Sequence, residues 1–229
     1  MRLLNNKKFM VNIQHLPPPP SPTYNLIDLG LPSGTLWADR NIGASSIYDY
    51  GLYFAWGETN GYSLNSQHNF AWSDYSHCEG SETTLTKYNT NANYGTVDNK
   101  TEIEIEDDGA YHISGGQLVI PTIAQLYELY RNTESEWVTD YEGSGINGRV
   151  MTSNINGNSI FLPANGEIIG VRAMYQTTDG YYWSKSLYTG NPRNAYRSTF
   201  SDLYYTPQFA ENRCRGIGIR GVGVNNHLN

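Results

Sequence analysis

The sequence predicts an α+β protein of short antiparallel strands, one or two helices and long loops. Three observations carry this. Charged residues are only 16% of the 229, while Gly numbers 23 and Tyr 19, so the polarity comes from Asn, Ser, Thr and Tyr, a balance that suits short elements and loops better than a helix bundle. Short β-branched and aromatic runs are bounded by Pro, Gly and Asn, the residues that turns require. Only residues 123–130 show clear helical periodicity.

Residues 1–23 end in a run of prolines at Pro17, Pro18, Pro19, Pro20 and Pro22, which cannot donate backbone hydrogen bonds and favour a stiff spacer. They read as an N-terminal tether before a domain spanning 24–229. Leu26 to Leu29 and Thr35 to Ala38 form two strands about a Pro32-Ser33-Gly34 turn. Trp37, Trp56 and Trp72 read as core or semi-core anchors, each with an indole N–H that needs one partner. From 62 to 99 the chain is dominated by Ser, Asn, Thr, Asp and Tyr, so a long surface excursion is expected, with His68, His77 and Cys78 as solvated loop residues. The acidic run 102–108 reads as a solvated face. It offers carboxylates to calcium but lacks the ligand spacing of an EF-hand loop, so no cofactor is assigned.

Thr122 is placed to cap the helix at 123–130, with Gln125 in capping-box position and Ile123, Leu126, Leu129 and Tyr130 on one face. Short strands follow at 137–138, 148–152 and 159–164, the last two joined by an Asn- and Gly-rich turn at 154–158. The stretch 180–224 opens on Tyr181-Tyr182-Trp183 and closes on an alternating strand at 213–224. Between them Tyr188, Arg193, Tyr196, Arg197, Phe200, Asp202, Tyr204, Tyr205, Gln208, Phe209 and Glu211 keep no sustained period of 2 or 3.6. Aromatics interleaved with small polar residues have the chemistry of a paratope, large contact area at low entropic cost. The expectation is a displayed binding surface on a rigid scaffold, with Tyr204 and Tyr205 serving binding rather than folding.

Other function classes find little support. A net charge of -7 argues against nucleic acid, which is held mainly by Lys and Arg. No run approaches the roughly 20 apolar residues that span a bilayer, and residues 1–15 lack the apolar region of a signal peptide. The two cysteines, Cys78 and Cys214, have neither metal-knuckle nor redox spacing, and their pairing stays open. Gly216-Ile217-Gly218-Ile219-Arg220-Gly221 has no following helix to meet a phosphate and reads as a strand.

Several motifs, in order, are similar to the major paralogous domain family of gut bacteria and their phages: DLGLPSGTLWA at 28–38, YFAWGET at 53–59, IPT at 120–122, NSIFLPA at 158–164 and GYYWS at 180–184. That resemblance implies a C-type lectin-like fold, in the branch shared by formylglycine-generating enzymes and the variable proteins of diversity-generating retroelements. In those variable proteins a C-terminal cassette is altered at adenine-containing codons. By the resemblance, Trp183, Asn194, Ala195, Tyr196, Phe200, Arg213, Gly216, Arg220 and Val222 are framework. Arg193, Arg197, Ser198, Ser201, Asp202, Tyr204, Tyr205, Phe209, Ala210, Cys214 and Arg215 are reachable from an Asn codon, whereas Gln208 and Glu211 are not. The implied ligand-binding set is Tyr188, Arg193, Arg197, Ser198, Ser201, Asp202, Tyr204, Tyr205, Gln208, Phe209, Glu211, Cys214 and Arg215. The implied activity is non-enzymatic receptor binding to a host-surface protein or glycan, on a phage tail or bacterial cell surface, as a homo-oligomer or attached to a larger assembly through the tether. The alternatives are an enzyme of the formylglycine-generating type, whose cysteine pair Cys78 and Cys214 do not reproduce, and a structural or fimbrial module.

Overall fold

The computed structural model describes residues 23–224, so the proline-rich tether, Thr23 apart, lies outside the described residues. In chain order the strands are β1 (Leu26–Asp28), β2 (Leu36–Ala38), β3 (Tyr53–Phe54), β4 (Leu118–Val119), β5 (Thr133–Val138), β6 (Gly148–Ser153), β7 (Ser159–Pro163), β8 (Glu167–Ile169), β9 (Arg172–Met174), β10 (Gly180–Leu187), β11 (Asn194–Phe200), β12 (Tyr205–Asn212), β13 (Gly216–Gly218) and β14 (Val222–Gly223). Two α-helices, α1 (Gly109–Ile113) and α2 (Ile123–Asn132), join them. The class is a mixed α+β one dominated by sheet. A four-stranded sheet runs β1-β2-β14-β4, and a three-stranded one β5-β6-β7. The largest, seven-stranded sheet runs β12-β11-β10-β13-β8-β9 with β3 paired to β13, and curls into a half-barrel. No helix among the described residues is long and apolar enough to cross a membrane.

β10 divides the interior. Its sequence GYYWSKSL is buried on both faces at all but one position, with Tyr181 and Trp183 on one side and Tyr182 on the other. Tyr181, Trp183 and Leu187 enter one core with Phe54, Trp56, Ile217 and Ile219. Tyr182 enters a second with Trp37, Leu126, Leu129 and Phe200. Each buried large side chain contributes roughly 1.5–3 kcal/mol. The indoles of Trp56 and Trp183 are tied reciprocally, Trp56 Nε1 donating to Ser184 O and Trp183 Nε1 to Phe54 O, both at 2.8 Å. Gly180 has to be glycine, because a Cβ there would lie 2.0 Å from the Phe200 ring across the β10–β11 pair.

The helix and the hairpins follow the sequence pattern. Thr122 and Gln125 form the capping box, with Gln125 N donating to Thr122 Oγ1 at 3.1 Å and Thr122 N to Gln125 Oε1 at 2.9 Å. Leu126 and Leu129 are buried, while Tyr130 sits at the rim, edge-on to Tyr205 at 5.1 Å. β5 begins at Thr133, earlier than expected, because Glu134 and Glu136 occupy its outer face and conceal the alternation.

Three expectations are corrected. The 62–99 excursion has little regular structure, but it is no surface loop: Phe70, Tyr75, Leu85 and Tyr88 are buried. Arg213, itself fully buried, draws it inward by donating to Tyr75 Oη (3.0 Å), Lys87 O (3.1 Å), Tyr88 O (2.8 Å) and Pro192 O (3.1 Å). Much of the aperiodic middle of 180–224 is strand, interrupted by the connections at 188–193 and 201–204, with its period broken by register irregularities between Trp183 and Leu187 and between Arg197 and Thr199. The single strand expected at 213–224 is two short ones in different sheets, β13 and β14, with Arg220 between them.

Arg220 is 1% exposed and meets no carboxylate. Burial pushes its pKa down to about 10, so it is still a cation at neutral pH. It donates to Asn41 Oδ1 (3.0 Å), Ala38 O (3.3 Å), Asp39 O (3.3 Å) and Phe161 O (2.8 Å). Arg220→Met strands these acceptors, each costing ~1–3 kcal/mol when unpaired. Urea unfolding is expected to show a loss of at least ~3 kcal/mol, whereas an unchanged midpoint would mean that the site is hydrated instead.

Candidate functional site

The last three long strands build a platform. β11 lies between β10 and β12, with Arg197 opposite both Trp183 and Phe209, Thr199 opposite Tyr181 and Thr206, and Ala195 opposite Glu211. The guanidinium of Arg197 lies between two rings, 3.9 Å from the centroid of Tyr181 and 4.8 Å from that of Phe209. Its Nη2 donates to Glu211 Oε2 at 3.3 Å, and Arg215 Nε stands 3.9 Å from the other oxygen of Glu211. Glu167 on β8 is 5% exposed. Burial pushes its carboxyl above the usual range; the charge of Glu211 adds to this and that of Arg197 opposes it.

Exposed aromatic and apolar side chains lie around this charged floor: Tyr175 at 48%, Leu203 at 88%, Tyr204 at 45% and Phe209 at 48%. The segments that carry them are held firmly. Tyr175 and Thr177 adopt left-handed φ of 67° and 70°, which for β-branched Thr177 is a strained state that needs support. Support comes from Thr177 N donating to Ala164 O (2.8 Å), Asp179 N to Tyr175 O (3.0 Å) and Gly166 N to Asp179 O (2.8 Å). Tyr204 Oη reaches Asp179 Oδ1 at 3.4 Å. The β11–β12 turn is held by buried Arg149, whose Nε and Nη2 donate to Ser201 O at 3.0 and 2.8 Å, and whose Nη2 also approaches Asp202 O and Tyr204 O at 3.4 Å. A groove of about 260 Å³ between Trp137, Asn147, Thr177, Thr178 and Asp202 flanks the patch.

The structure splits the expected binding set. Asp202, Tyr204 and Phe209 are exposed, and Tyr188, Arg193, Gln208, Glu211 and Arg215 are half-buried. Arg197, Ser198, Ser201 and Cys214 are buried, which corrects their reading as displayed; on β11 the ladder turns Ser198 inward, and Cys214 packs with Tyr53, Phe70 and Tyr75. Tyr205 is also corrected: its ring packs edge-on against Phe200 and Tyr130 and its hydroxyl is buried. Nor is the set continuous. Tyr188 and Arg193 lie at the opposite end of β11 from residues 201–204, where Arg193 Nη1 pairs with Glu82 at 2.6 Å and Tyr188 packs on Tyr196. Gln208 Oε1 accepts from Tyr127 Oη at 2.5 Å. Sequence reasoning missed Tyr175, Asp179 and Leu203, and also Glu167, whose one signal is a lone charge before Ile168 and Ile169 in a short apolar strand.

The solvated readings of His77 and Cys78 are likewise corrected, and that of the acidic run in part: Glu102 and Glu106 are exposed, whereas Glu104 and Asp107 are half-buried and Asp108 is buried. His77 Nε2 donates to Gly57 O at 2.7 Å, burial lowering the pKa of its ring, and Cys78 Sγ lies 3.1 Å from Trp72 O. Lys87 pairs with Glu104, Glu106 and Asp107 at 2.9, 3.4 and 2.6 Å, and Asp108, 1% exposed, caps α1 through Tyr111 N. Trp72 is half-buried and packs against the cluster of Phe70 and Tyr75, a semi-core position. His77 and Asp107 border a polar cleft of about 300 Å³ with Glu58, Tyr62, His68 and Glu106. Because the His77 nitrogen is engaged by a backbone carbonyl, it is not placed as a base to a lining hydroxyl. Cys78 and Cys214 are free thiols, and burial pushes Cys214 up to about 12. Among the described residues no three His, Cys, Asp or Glu side chains are grouped to hold a metal ion.

No family model, curated protein or solved structure matches the chain.

Glu167 gives this site a pH signature. Its folded-state pKa is raised by burial, so ionisation opposes folding, and its contribution to stability falls as pH rises from the unfolded value, ~4.3, through the folded one. Glu167→Gln is expected to be more stable than the parent at pH 7, with the advantage shrinking toward about pH 4. Paired urea titrations at the two pH values check this, and an advantage independent of pH would contradict it.

Proposed function

We propose that this chain is a non-enzymatic ligand-binding protein that presents an aromatic surface on a C-type lectin-like scaffold, in the manner of the variable proteins of diversity-generating retroelements. The observation that carries the reading is the exposure of Tyr175, Leu203, Tyr204 and Phe209 on the segments around β10, β11 and β12. Contiguous exposed apolar groups on a rigid support mark interaction surfaces, and tyrosine-rich ones suit adaptable recognition. The motif residues Trp37, Phe54, Trp56, Phe161, Tyr182 and Trp183 are all buried, as framework positions should be. The buried, poorly ionised thiol of Cys214 weighs against formylglycine-type cysteine chemistry, since the thiolate is the reactive form. The partner on this reading is a host-surface protein or glycan, met from a phage tail or a bacterial cell surface.

The test separates binding from folding. The double variant Tyr204→Ala, Phe209→Ala is expected to unfold within about 0.5 kcal/mol of the parent, yet to lose at least about 30-fold in affinity for whichever host-surface protein or glycan binds the parent on an array. Tyr205→Ala is expected to destabilise by at least ~2 kcal/mol, because it removes a half-buried ring packed against the core at Phe200. Undiminished array binding by the double variant would overturn the assignment of this face. A near-copy of the coding segment for 180–224, differing chiefly at adenines and beside a reverse transcriptase gene, would support the retroelement reading directly.

A further inference from the structure

Four arginines in this fold are less than a tenth exposed: Arg149, Arg197, Arg213 and Arg220. In three of them every guanidinium nitrogen donates to an oxygen. Arg213 and Arg220 each make four such bonds, and Arg149 reaches Ser135 as well as the 201–204 turn. Arg197 differs. Only its Nη2 is paired, while Nε and Nη1 are buried without a partner among the described residues. Close by, Arg215 Nη1, Thr199 Oγ1 and Glu167 Oε2 are buried and equally unpartnered. Buried polar groups are nearly always paired, so two unpaired nitrogens on one buried guanidinium call for a cause, and an unpaired charged donor is among the most costly.

We propose that Arg197, with Arg215 and Glu211 beside it, forms a subsite for a carboxylate on an acidic side chain of a protein partner. The proposal rests on the reading that the face bearing Tyr204 and Phe209 is the docking face. Three of the five unpartnered atoms are guanidinium nitrogens, so the deficit is one of acceptors. A carboxylate is the acceptor best matched to guanidinium geometry and charge. The charge balance agrees. Glu211 is shared by two arginines, and burial favours the neutral form of Glu167. Asp179, the remaining acid within reach, accepts from Thr178 Oγ1 at 2.8 Å and from Tyr204 Oη at 3.4 Å. One cation is then left uncompensated.

Access depends on one side chain. Phe209 is half exposed, stands on the sheet's outermost strand β12 and lies over the guanidinium. Its rotation away from Arg197 uncovers the subsite. A protein partner is favoured over a sugar acid because the rim is apolar: Leu203, Phe209 and the rings of Tyr175 and Tyr204 offer contact for neighbouring side chains and few hydrogen bonds for hydroxyl groups.

The test uses the full chain, following the Arg197 Nε–H resonance and the aromatic signals of Tyr204 and Phe209 by NMR. Three probes are titrated: N-acetyl-glutamate N-methylamide, the glutamine counterpart, and methyl glucuronide. The glutamate probe is expected to shift the Arg197 resonance and to bind at least about 10-fold more tightly than the glutamine probe. Arg197→Gln is expected to abolish the effect. Glu211→Gln, which frees Nη2, is expected to tighten binding severalfold, a gain that a purely structural arginine would not give and that survives should Arg197→Gln fail to fold. Equal binding of glutamate and glutamine probes would overturn the carboxylate assignment while leaving the docking face intact. Preference for the glucuronide would overturn the protein source. If no probe moves Arg197 and its Nε–H is held by buried water, the subsite is refuted, whereas the docking face itself is judged separately by the Tyr204, Phe209 double variant.

Discussion

The fold depends on the exchange of hydrogen bonds between two tryptophans, in which the indole of Trp56 donates to the backbone at Ser184 and that of Trp183 donates to the backbone at Phe54. Both rings are essentially inaccessible to water, so each N–H needs an internal acceptor and each finds it on the other's segment. A short early strand is thereby fixed against β10, although the two do not pair directly in the sheet. With β10 held, its alternate side chains face two separate cores, and β11 and β12 are laid down beside it in register. The candidate site is therefore a consequence of framework packing: Tyr181, which lies under Arg197, is itself a core residue of β10.

Beyond the sheets the chain has long irregular stretches, and their backbone carbonyls cannot all find ladder partners. Buried arginine meets that need, since one guanidinium supplies five donors in a rigid plane. Arg213 gathers the excursion at Tyr75, Lys87 and Tyr88, and Arg220 joins the 38–41 segment to Phe161. None of these contacts is to a carboxylate, so the charge is stabilised by dipoles rather than by an ion pair. Arg197 is the contrast, held between two rings and one acid with two nitrogens unpaired. The same residue type thus appears in two states, with its donors satisfied at Arg213 and Arg220 and partly unsatisfied at Arg197.

How much of this could be read from the chain depends on range. Local signals were legible: the Thr122 and Gln125 box, the Pro32 to Gly34 turn, the hairpin at 154–158 and the buried tryptophans Trp37 and Trp56 all lie where residue pattern places them. Long-range arginine contacts were not legible. Nothing in a polar stretch such as 75–88 announces that Arg213, more than a hundred residues on, will organise it, so a buried excursion reads as a surface loop. Bulges hid the strands of 180–212 for a related reason, because one irregular pairing shifts the phase of every later side chain. The density of Tyr, Phe and Ser pointed to exposed aromatics in this stretch, and Tyr204 and Phe209 are exposed. Which side chains face out was not legible, since exposure on β11 and β12 is decided by register: Ser198 points in while Phe209 points out.

The turn that carries the most exposed part of the patch is fastened from outside mainly through its backbone. Arg149 binds the carbonyl oxygens of Ser201, Asp202 and Tyr204, and carbonyls are common to every residue type. Of the side chains in this turn, that of Ser201 is turned inward, with Oγ accepting from Leu203 N at 3.1 Å, whereas those of Asp202, Leu203 and Tyr204 point to solvent. Replacing these three alters the chemistry presented without removing any bond from Arg149. A scaffold fastened through its main chain separates the shape of a surface from its composition. That separation lets different side chains occupy one rigid loop while the ordering entropy of binding stays small.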